Sequence, residues 1–272
     1  MMMNISIIGL GWLGKPLGDA LVNLGYVVKG STTSNDKLSV LKEAGYDAYK
    51  VQMNESEVQG DIAELLAYSE VLILNTPPGL RRNPTSDYVG KIKQLVPFIE
   101  RSSIKQVLFI GSTAVFADTE SMHIITNNTM PNSEGVSGVQ LATVEKLLMN
   151  NAHFKTTILR FAGLVDERRH PATMMSKRKQ IPNPLAPVNL IHREDCIGVI
   201  QQIISQRKWG EVYNAAYPLH PTKQEYYTNI CEQKKIANPD FNRTGVSKGK
   251  LIDGQKTAEE LNYTYTHSIV NE

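Results

Sequence analysis

Apolar positions recur along the chain in two alternating rhythms. Asn4-Ile5-Ser6-Ile7-Ile8 is a short, largely β-branched run closed by glycines, which predicts a strand. Trp12 to Leu24 then places Leu13, Leu17, Ala20, Leu21 and Leu24 close to helical spacing. Tyr26-Val27-Val28-Lys29-Gly30 predicts a second strand, Lys37 to Ala44 a helix and Ala48 to Val51 a third strand. The same alternation continues with strands at Val71 to Leu74, Val107 to Ile110 and Thr157 to Leu159, and helices at Tyr88 to Glu100 and Val139 to Asn151. Strands that alternate with helices predict an α/β architecture with a parallel sheet, and six such strands fill a doubly wound one.

After Arg160 the texture changes. Asp166 to Pro187 is rich in proline and in mixed charge, Val188 to Ile191 predicts one late strand of the sheet, and Cys196 to Ser205 predicts a helix. The expected organisation is a nucleotide-binding domain over residues 1–165, to which a strand and helix near 187–205 return, interleaved with a small substrate-binding lobe over 166–272. No internal repeat and no long structureless linker interrupts the chain.

Composition narrows the class without naming a ligand. The chain has 272 residues, 41% hydrophobic and 21% charged, as expected of an ordinary globular protein. Lys and Arg number 29 against 27 Asp and Glu, a net charge of +2, which offers no global attraction to nucleic acid or to an anionic membrane surface. Cys196 and Cys231 have no neighbours at metal-ligand or redox spacing, so neither a metal site nor a disulfide framework is expected, and reducing cytoplasm is the expected compartment. The apolar stretch from Met1 to Gly14 lacks a basic leader and a cleavage site, and Lys15 and Pro16 interrupt it before it could span a bilayer.

Gly9-Leu10-Gly11-Trp12-Leu13-Gly14 fits the GxGxxG pattern of a Rossmann fold. Glycine serves there as a tight turn, as a close approach for a pyrophosphate and as a close contact of helix with strand, and the phosphates rest on the helix's free N–H groups. The same glycines also serve a strand-to-helix turn that binds nothing. Position favours the dinucleotide: the motif follows the first strand and opens a helix. About 20 residues on, where an acid would hold the ribose 2′-hydroxyl of NAD, stand Ser31, Thr32, Thr33 and Ser34 with Lys37 nearby. These hydroxyls favour NADP over NAD, although no arginine accompanies them, Asp36 is within a few residues, and Ser34 also suits a helix N-cap.

Taken in order, the glycine turn, Leu74-Asn75-Thr76-Pro77-Pro78-Gly79, Phe109-Ile110-Gly111-Ser112-Thr113-Ala114-Val115-Phe116, Leu159-Arg160-Phe161-Ala162-Gly163-Leu164, Asn189-Leu190-Ile191-His192-Arg193-Glu194-Asp195 and Gly210-Glu211-Val212-Tyr213-Asn214 resemble the extended and atypical short-chain dehydrogenase/reductase superfamily, the group of NAD-dependent epimerases and dehydratases. The resemblance implies that Gly9, Gly11, Trp12, Leu13, Gly14, Ser31, Thr32, Thr33, Asn75, Thr76, Pro77, Ser112 and Gly163 border a dinucleotide, and that Ser112 also polarises a substrate carbonyl. It implies substrate contacts from Asn189, His192 and Arg193. Ser112 equally suits a loop cap after a strand.

Active members carry a tyrosine with a lysine four residues later on one helix face. Counted from Phe116, those positions fall on Ser137 and Leu141, so the dyad is missing. The chain's one Tyr-x-x-x-Lys string, Tyr46 to Lys50, enters the third predicted strand, where extended backbone holds its ends about 13 Å apart. Glu134, Ser137, Arg160, Asp166, His192 and Arg193 are the remaining polar candidates, and His192 has the intrinsic acidity that suits proton transfer. Asp195 beside it suits a helix N-cap.

Arg168, Arg169, His170, Lys177, Arg178 and Lys179 form a basic stretch suited to a phosphorylated or nucleotide-linked ligand, or to a solvated loop. Met174 and Met175 within it are expected to pack. Two functions follow: an NAD(P)-dependent oxidoreductase or epimerase-like enzyme acting on a small molecule, or a non-catalytic dinucleotide-binding sensor or partner subunit. Either fits a monomer or a homodimer.

Overall fold

The computed structural model describes residues 3–80 and 83–270; Met1 and Met2 of the apolar N-terminal stretch lie outside the described residues. The chain divides into two compact units, each assembled from three stretches. The first comprises residues 1–112, 136–159 and 203–212, and the second 113–135, 160–202 and 213–272.

The first unit opens with β1 (Asn4–Ile8), α1 (Gly14–Asn23), β2 (Val27–Thr32), α2 (Asn35–Glu43) and β3 (Asp47–Met53). It continues through β4 (Val58–Gly60), α3 (Ile62–Leu66), β5 (Val71–Leu74), α4 (Tyr88–Glu100) and β6 (Gln106–Ser112), and takes up α5 (Val136–Met149) and the start of β8 (Lys155–Phe161). The sheet has eight strands in the order β11-β8-β6-β5-β1-β2-β3-β4, where β11 is Val212–Ala215; β8 and β11 run from the first unit into the second. β1 pairs in parallel with both β2 and β5, β2 with β3, and β5 with β6; β4 alone among these is antiparallel, against β3. The architecture is the doubly wound α/β sheet expected.

Central strands read as continuous apolar runs because helices cover both their faces. Val71, Leu72, Ile73 and Leu74 are all buried, as are Ile5, Ile7 and Ile8. Ser6, the polar break in β1, is fully buried and satisfied: its hydroxyl donates to the Leu65 carbonyl at 2.6 Å and lies 2.7 Å from the Ser69 hydroxyl. α1 turns Leu13, Leu17 and Leu21 into the core at helical spacing, each such side chain contributing about 1.5–3 kcal/mol.

The second unit contains a short 3-10 turn (Thr113–Val115), β7 (Ile124–Ile125), β9 (Gly163–Val165), α6 (Ala172–Met175), β10 (Leu190–His192), α7 (Arg193–Ser205, whose last residues return to the first unit), α8 (Lys223–Gln233), β12 (Leu251–Ile252) and α9 (Gln255–Leu261). Its core gathers Val165, Ala172, Met175, Ile181, Val188, Leu190, Tyr226, Tyr227, Ile230, Cys231, Phe241 and Ile269.

Three expectations need correction. The late strand, observed as β10, does not join the main sheet but pairs in parallel with β9 in a sheet of its own; β11 is the strand that returns. The alternation predicts no strand between Ala48–Val51 and Val71–Leu74, but the short β4 (Val58–Gly60) lies there. Of the two methionines expected to pack, Met175 is buried but Met174 is 51% exposed, and the Arg178 guanidinium lies 3.6 Å from its sulfur.

Candidate functional site

The sheet order reverses direction between β1 and β5, so the connections leaving these neighbouring strands depart to opposite sides. A crevice at such a switch point, beyond the carboxyl ends of the strands, is where doubly wound proteins take ligands. The glycine turn follows β1 and the Asn75-Thr76-Pro77 segment follows β5.

Each motif glycine has its own reason. Gly9 has φ of +105°, and a Cβ there would lie 2.5 Å from the Asn75 carbonyl oxygen. At Gly14 a Cβ would come within 2.0 Å of the Gly9 carbonyl oxygen, so the start of α1 can sit this close to the turn only without a side chain. At Gly11 nothing lies within 4 Å of an added Cβ, while its N–H donates to the Gly9 carbonyl at 2.8 Å and its carbonyl accepts the Lys15 N–H at 3.1 Å. Leu13, at the N-cap position of α1, makes no side-chain capping bond, and the first turn of α1 holds no acidic residue. A turn with room beside Gly11, leading to a helix start without a side-chain cap, fits an anionic pyrophosphate.

Two neighbouring strand ends fix the turn. The Gly9 N–H donates to the Ser31 hydroxyl at 3.3 Å, and the Asn75 side-chain amide donates to the Gly9 carbonyl at 3.1 Å. The Asn75 N–H itself donates to the Ile8 carbonyl at 3.0 Å. Thr76 is held by Tyr88, a buried residue whose hydroxyl donates to the Thr76 carbonyl at 2.8 Å; burial pushes that phenol's pKa well up, so it remains a donor. Nothing in the sequence marked Tyr88 for this task beyond its place at the start of a helix.

At the end of β2, Ser31 and Thr32 are buried. Ser31 holds the turn, and the Thr32 hydroxyl accepts the Ser34 N–H at 3.4 Å. Ser34 caps α2, accepting the Lys37 N–H, while the side chains of Thr33 and Lys37 are exposed. Trp12 is half-buried, Pro77 is exposed, and Ser112 ends β6 half-buried. Ser137 and Leu141 share a face of α5; Leu141 is only 3% exposed and belongs to the apolar core. Tyr46 and Lys50 bracket the start of β3 as expected, and the Tyr46 hydroxyl accepts from Lys15 at 3.3 Å.

The other predicted residues lie in the second unit. Gly163 and Asn189 meet through the Gly163 N–H and the Asn189 carbonyl at 3.0 Å. Asn189 works as a clip: its amide donates to the Lys250 carbonyl at 2.8 Å, and its oxygen accepts the Ile252 N–H at 2.8 Å. Arg193 pairs with Asp166 at 2.9 Å and with Glu194 at 3.1 Å. Asp166 is buried and also accepts the N–H groups of Arg168 and Arg169, so one carboxylate shapes the turn that leaves those two side chains exposed. His192 is buried, with its Nε2 3.3 Å from Glu167.

Asp195 does not cap α7. It lies inside the first turn, fully buried, and accepts bonds from Tyr263, Thr266 and His267. The cap comes from His192, whose Nδ1 accepts the Glu194 N–H at 3.3 Å. Among the described residues, no helix is long and apolar enough to cross a membrane.

No protein-family model matches the chain. Among curated sequences it is 32% identical over 269 residues to Protein YeeZ of Escherichia coli K12, covering 98% of this chain and 97% of that one. Among solved structures it resembles a functionally unknown conserved protein from Silicibacter pomeroyi, with a TM-score of 0.78 at 18% identity over 98% of this chain and 94% of that one. It also resembles a UDP-glucuronic acid 4-epimerase from Bacillus cereus in complex with NAD, with a TM-score of 0.78 at 17% identity over 99% and 95%. A dTDP-glucose 4,6-dehydratase from Bacillus anthracis in complex with NAD matches with a TM-score of 0.73 at 15% identity over 98% and 92%. The chain therefore belongs to the family of Protein YeeZ and has the fold of the NAD-dependent epimerases and dehydratases of the short-chain dehydrogenase/reductase superfamily.

Proposed function

We propose that this protein binds a nicotinamide adenine dinucleotide at the glycine turn and is an NAD(P)-dependent oxidoreductase or epimerase-like protein. The observation that carries this reading is the turn itself: Gly9 is tied to Ser31 and Asn75, Gly14 fits against Gly9, and room is left beside Gly11 ahead of α1. When bound, the nicotinamide would supply hydride chemistry. The chain's own contribution is a rigid cradle for the pyrophosphate, with Ser112 at the end of the neighbouring β6 as the hydroxyl that would orient a substrate carbonyl. Thr33, just after β2, and Lys37, in the first turn of α2, are exposed groups that would meet the 2′-phosphate of NADP.

On the substrate side, the exposed cations Arg168, Arg169, Lys177, Arg178 and Lys179 fit a phosphorylated or nucleotide-linked small molecule. The free thiols of Cys196 and Cys231 support a reducing cytoplasmic location.

A second reading, a non-catalytic sensor or partner subunit, is favoured by Leu141, whose buried side chain stands where a ribose-holding lysine is expected. Fluorescence titration with NADH and NADPH tests the shared premise, and binding of neither overturns both readings. If a cofactor binds, hydride exchange across nucleotide-sugar and aldehyde panels supports the enzyme, and its absence supports the sensor.

A further inference from the structure

The segment that follows β5 is short of anchors of its own. Thr76 precedes Pro77 and Pro78, two residues with no backbone N–H to donate. Asn75 is fastened to the end of β1 twice, through its N–H to the Ile8 carbonyl at 3.0 Å and its side-chain amide to the Gly9 carbonyl at 3.1 Å. Thr76 comes next and stands against the glycine turn, with its methyl carbon 3.6 Å from where a Gly9 Cβ would be. Its carbonyl oxygen is the last backbone acceptor before the prolines, and it accepts the Tyr88 hydroxyl at 2.8 Å.

Tyr88 is the first residue of α4 and is fully enclosed. Its N–H is one of the donors that a helix start leaves without an intrahelical partner. Asp87 accepts the Gly90 N–H at 2.8 Å, while the Tyr88 N–H goes to Gln140 of α5, whose Oε1 lies 2.6 Å away. The Gln140 Nε2 donates to the Ser86 carbonyl at 3.1 Å. A backbone donor on one side and a backbone acceptor on the other fix which end of the amide is which. Lys91 holds the same turn from within α4, donating to the buried Ser86 hydroxyl at 2.6 Å. One side chain of α5 thus sets the start of α4, and the first residue of α4 sets the Thr76 carbonyl.

We propose that Gln140 and Tyr88 are positioning residues of the dinucleotide site, a brace that carries the placement of α5 through α4 to Thr76 beside the glycine turn. The proposal rests on the reading that a dinucleotide binds at that turn. Leu141, where a lysine would hold the ribose, is buried among apolar side chains. Its neighbour Gln140 acts on the site through the start of α4 and one buried phenol, without touching a ligand.

Two variants separate the parts of the brace. Tyr88→Phe keeps the ring but leaves the Thr76 carbonyl without its donor, next to two prolines that cannot replace it. Gln140→Met keeps the side-chain length and removes both amide bonds, so the Tyr88 N–H and the Ser86 carbonyl lose their partners together.

NADH and NADPH fluorescence titrations of the full chain, paired with melting curves, test this. Tyr88→Phe and Gln140→Met should each weaken binding of the dinucleotide that the parent takes by about tenfold. The double variant should lose no more than either single one, because both act through one connection. Thr222→Ala, which removes a helix cap in the other unit, should melt lower with parental affinity. Parental affinity in Tyr88→Phe or Gln140→Met, a double variant whose loss is the product of the two, or an equal loss in Thr222→Ala would each overturn the proposal. Should one of the two variants fail to fold, the other decides against the Thr222→Ala control. If the parent binds neither dinucleotide, the reading of the turn falls, and hydrogen exchange at the Asn75 amide decides the brace on Thr76 by itself: exchange about tenfold faster in both variants supports it, and parental exchange refutes it.

Discussion

Gly9 and Asn75 are locked together twice. The Asn75 amide donates to the Gly9 carbonyl at 3.1 Å, and the Asn75 carbonyl oxygen stands 2.5 Å from where a Gly9 Cβ would be. The glycine turn of β1 is thus fitted to the end of β5.

This separates two glycines of one motif. Gly9→Ala meets a backbone carbonyl at a positive φ and should lower stability by about 2–3 kcal/mol, seen as a lower melting temperature. Gly11→Val meets open space, so its melting curve should match the parent protein while NADH and NADPH titrations lose their signal. A Gly11→Val protein that still binds dinucleotide at full affinity would refute the placement of the pyrophosphate.

Leu141 tests whether α5 can host the missing chemistry. At 3% exposure, Leu141→Lys would bury an ammonium in the core and should cost about 3 kcal/mol or more. Denaturant unfolding measures this. An unchanged midpoint would mean that the position opens onto solvent or a polar cleft, which would favour the enzyme reading.

His220 contributes a pH dependence of known sign. Burial lowers its pKa, opposed by its hydrogen bond to the Val188 carbonyl at 3.1 Å. The folded state therefore holds the neutral ring, and the associated stability is present above the unfolded-state pKa and lost as pH falls below it. His220→Gln should show a smaller drop in melting temperature between about pH 8 and about pH 5.5 than the parent protein.

The start of α8 carries a capping box, in which the Thr222 hydroxyl accepts the Glu225 N–H at 3.3 Å and the Glu225 carboxylate accepts the Thr222 N–H at 3.1 Å. Thr222→Ala should destabilise the protein by about 1 kcal/mol, read from the urea midpoint. The Thr222-x-x-Glu225 spacing was visible in the sequence and would have located α8, whose apolar content is otherwise too mixed with polar residues to advertise a helix.

Legibility followed locality. Val71–Leu74 and Tyr88–Glu100 fall where apolar runs and helical spacing put them, because burial on both faces or on one stripe writes its own pattern. The strand character of β10 was equally plain, but its partner was not: pairing with β9 rather than with the main sheet is a nonlocal choice that no short pattern encodes. Within the site, the glycines announced themselves, whereas the bonds that Tyr263, Thr266 and His267 make to Asp195 join residues far apart in sequence, and histidine, which caps α7 from His192, is not among the residues that cap habitually. Ser31 was singled out for a phosphate, yet its hydroxyl is turned to the Gly9 N–H.

The second unit closes through β7 and β12, where Ile124 pairs with Leu251 and Ile125 with Ile252. A nascent chain has made β7 long before β12 leaves the ribosome, so this pairing waits for almost the entire polypeptide. Until then Ile125, buried in the finished protein, has no β-strand partner and stays a sticky edge. A chain stopped short of Leu251 would present that edge permanently, which makes nonsense or frameshift products of this gene candidates for aggregation and rapid proteolysis.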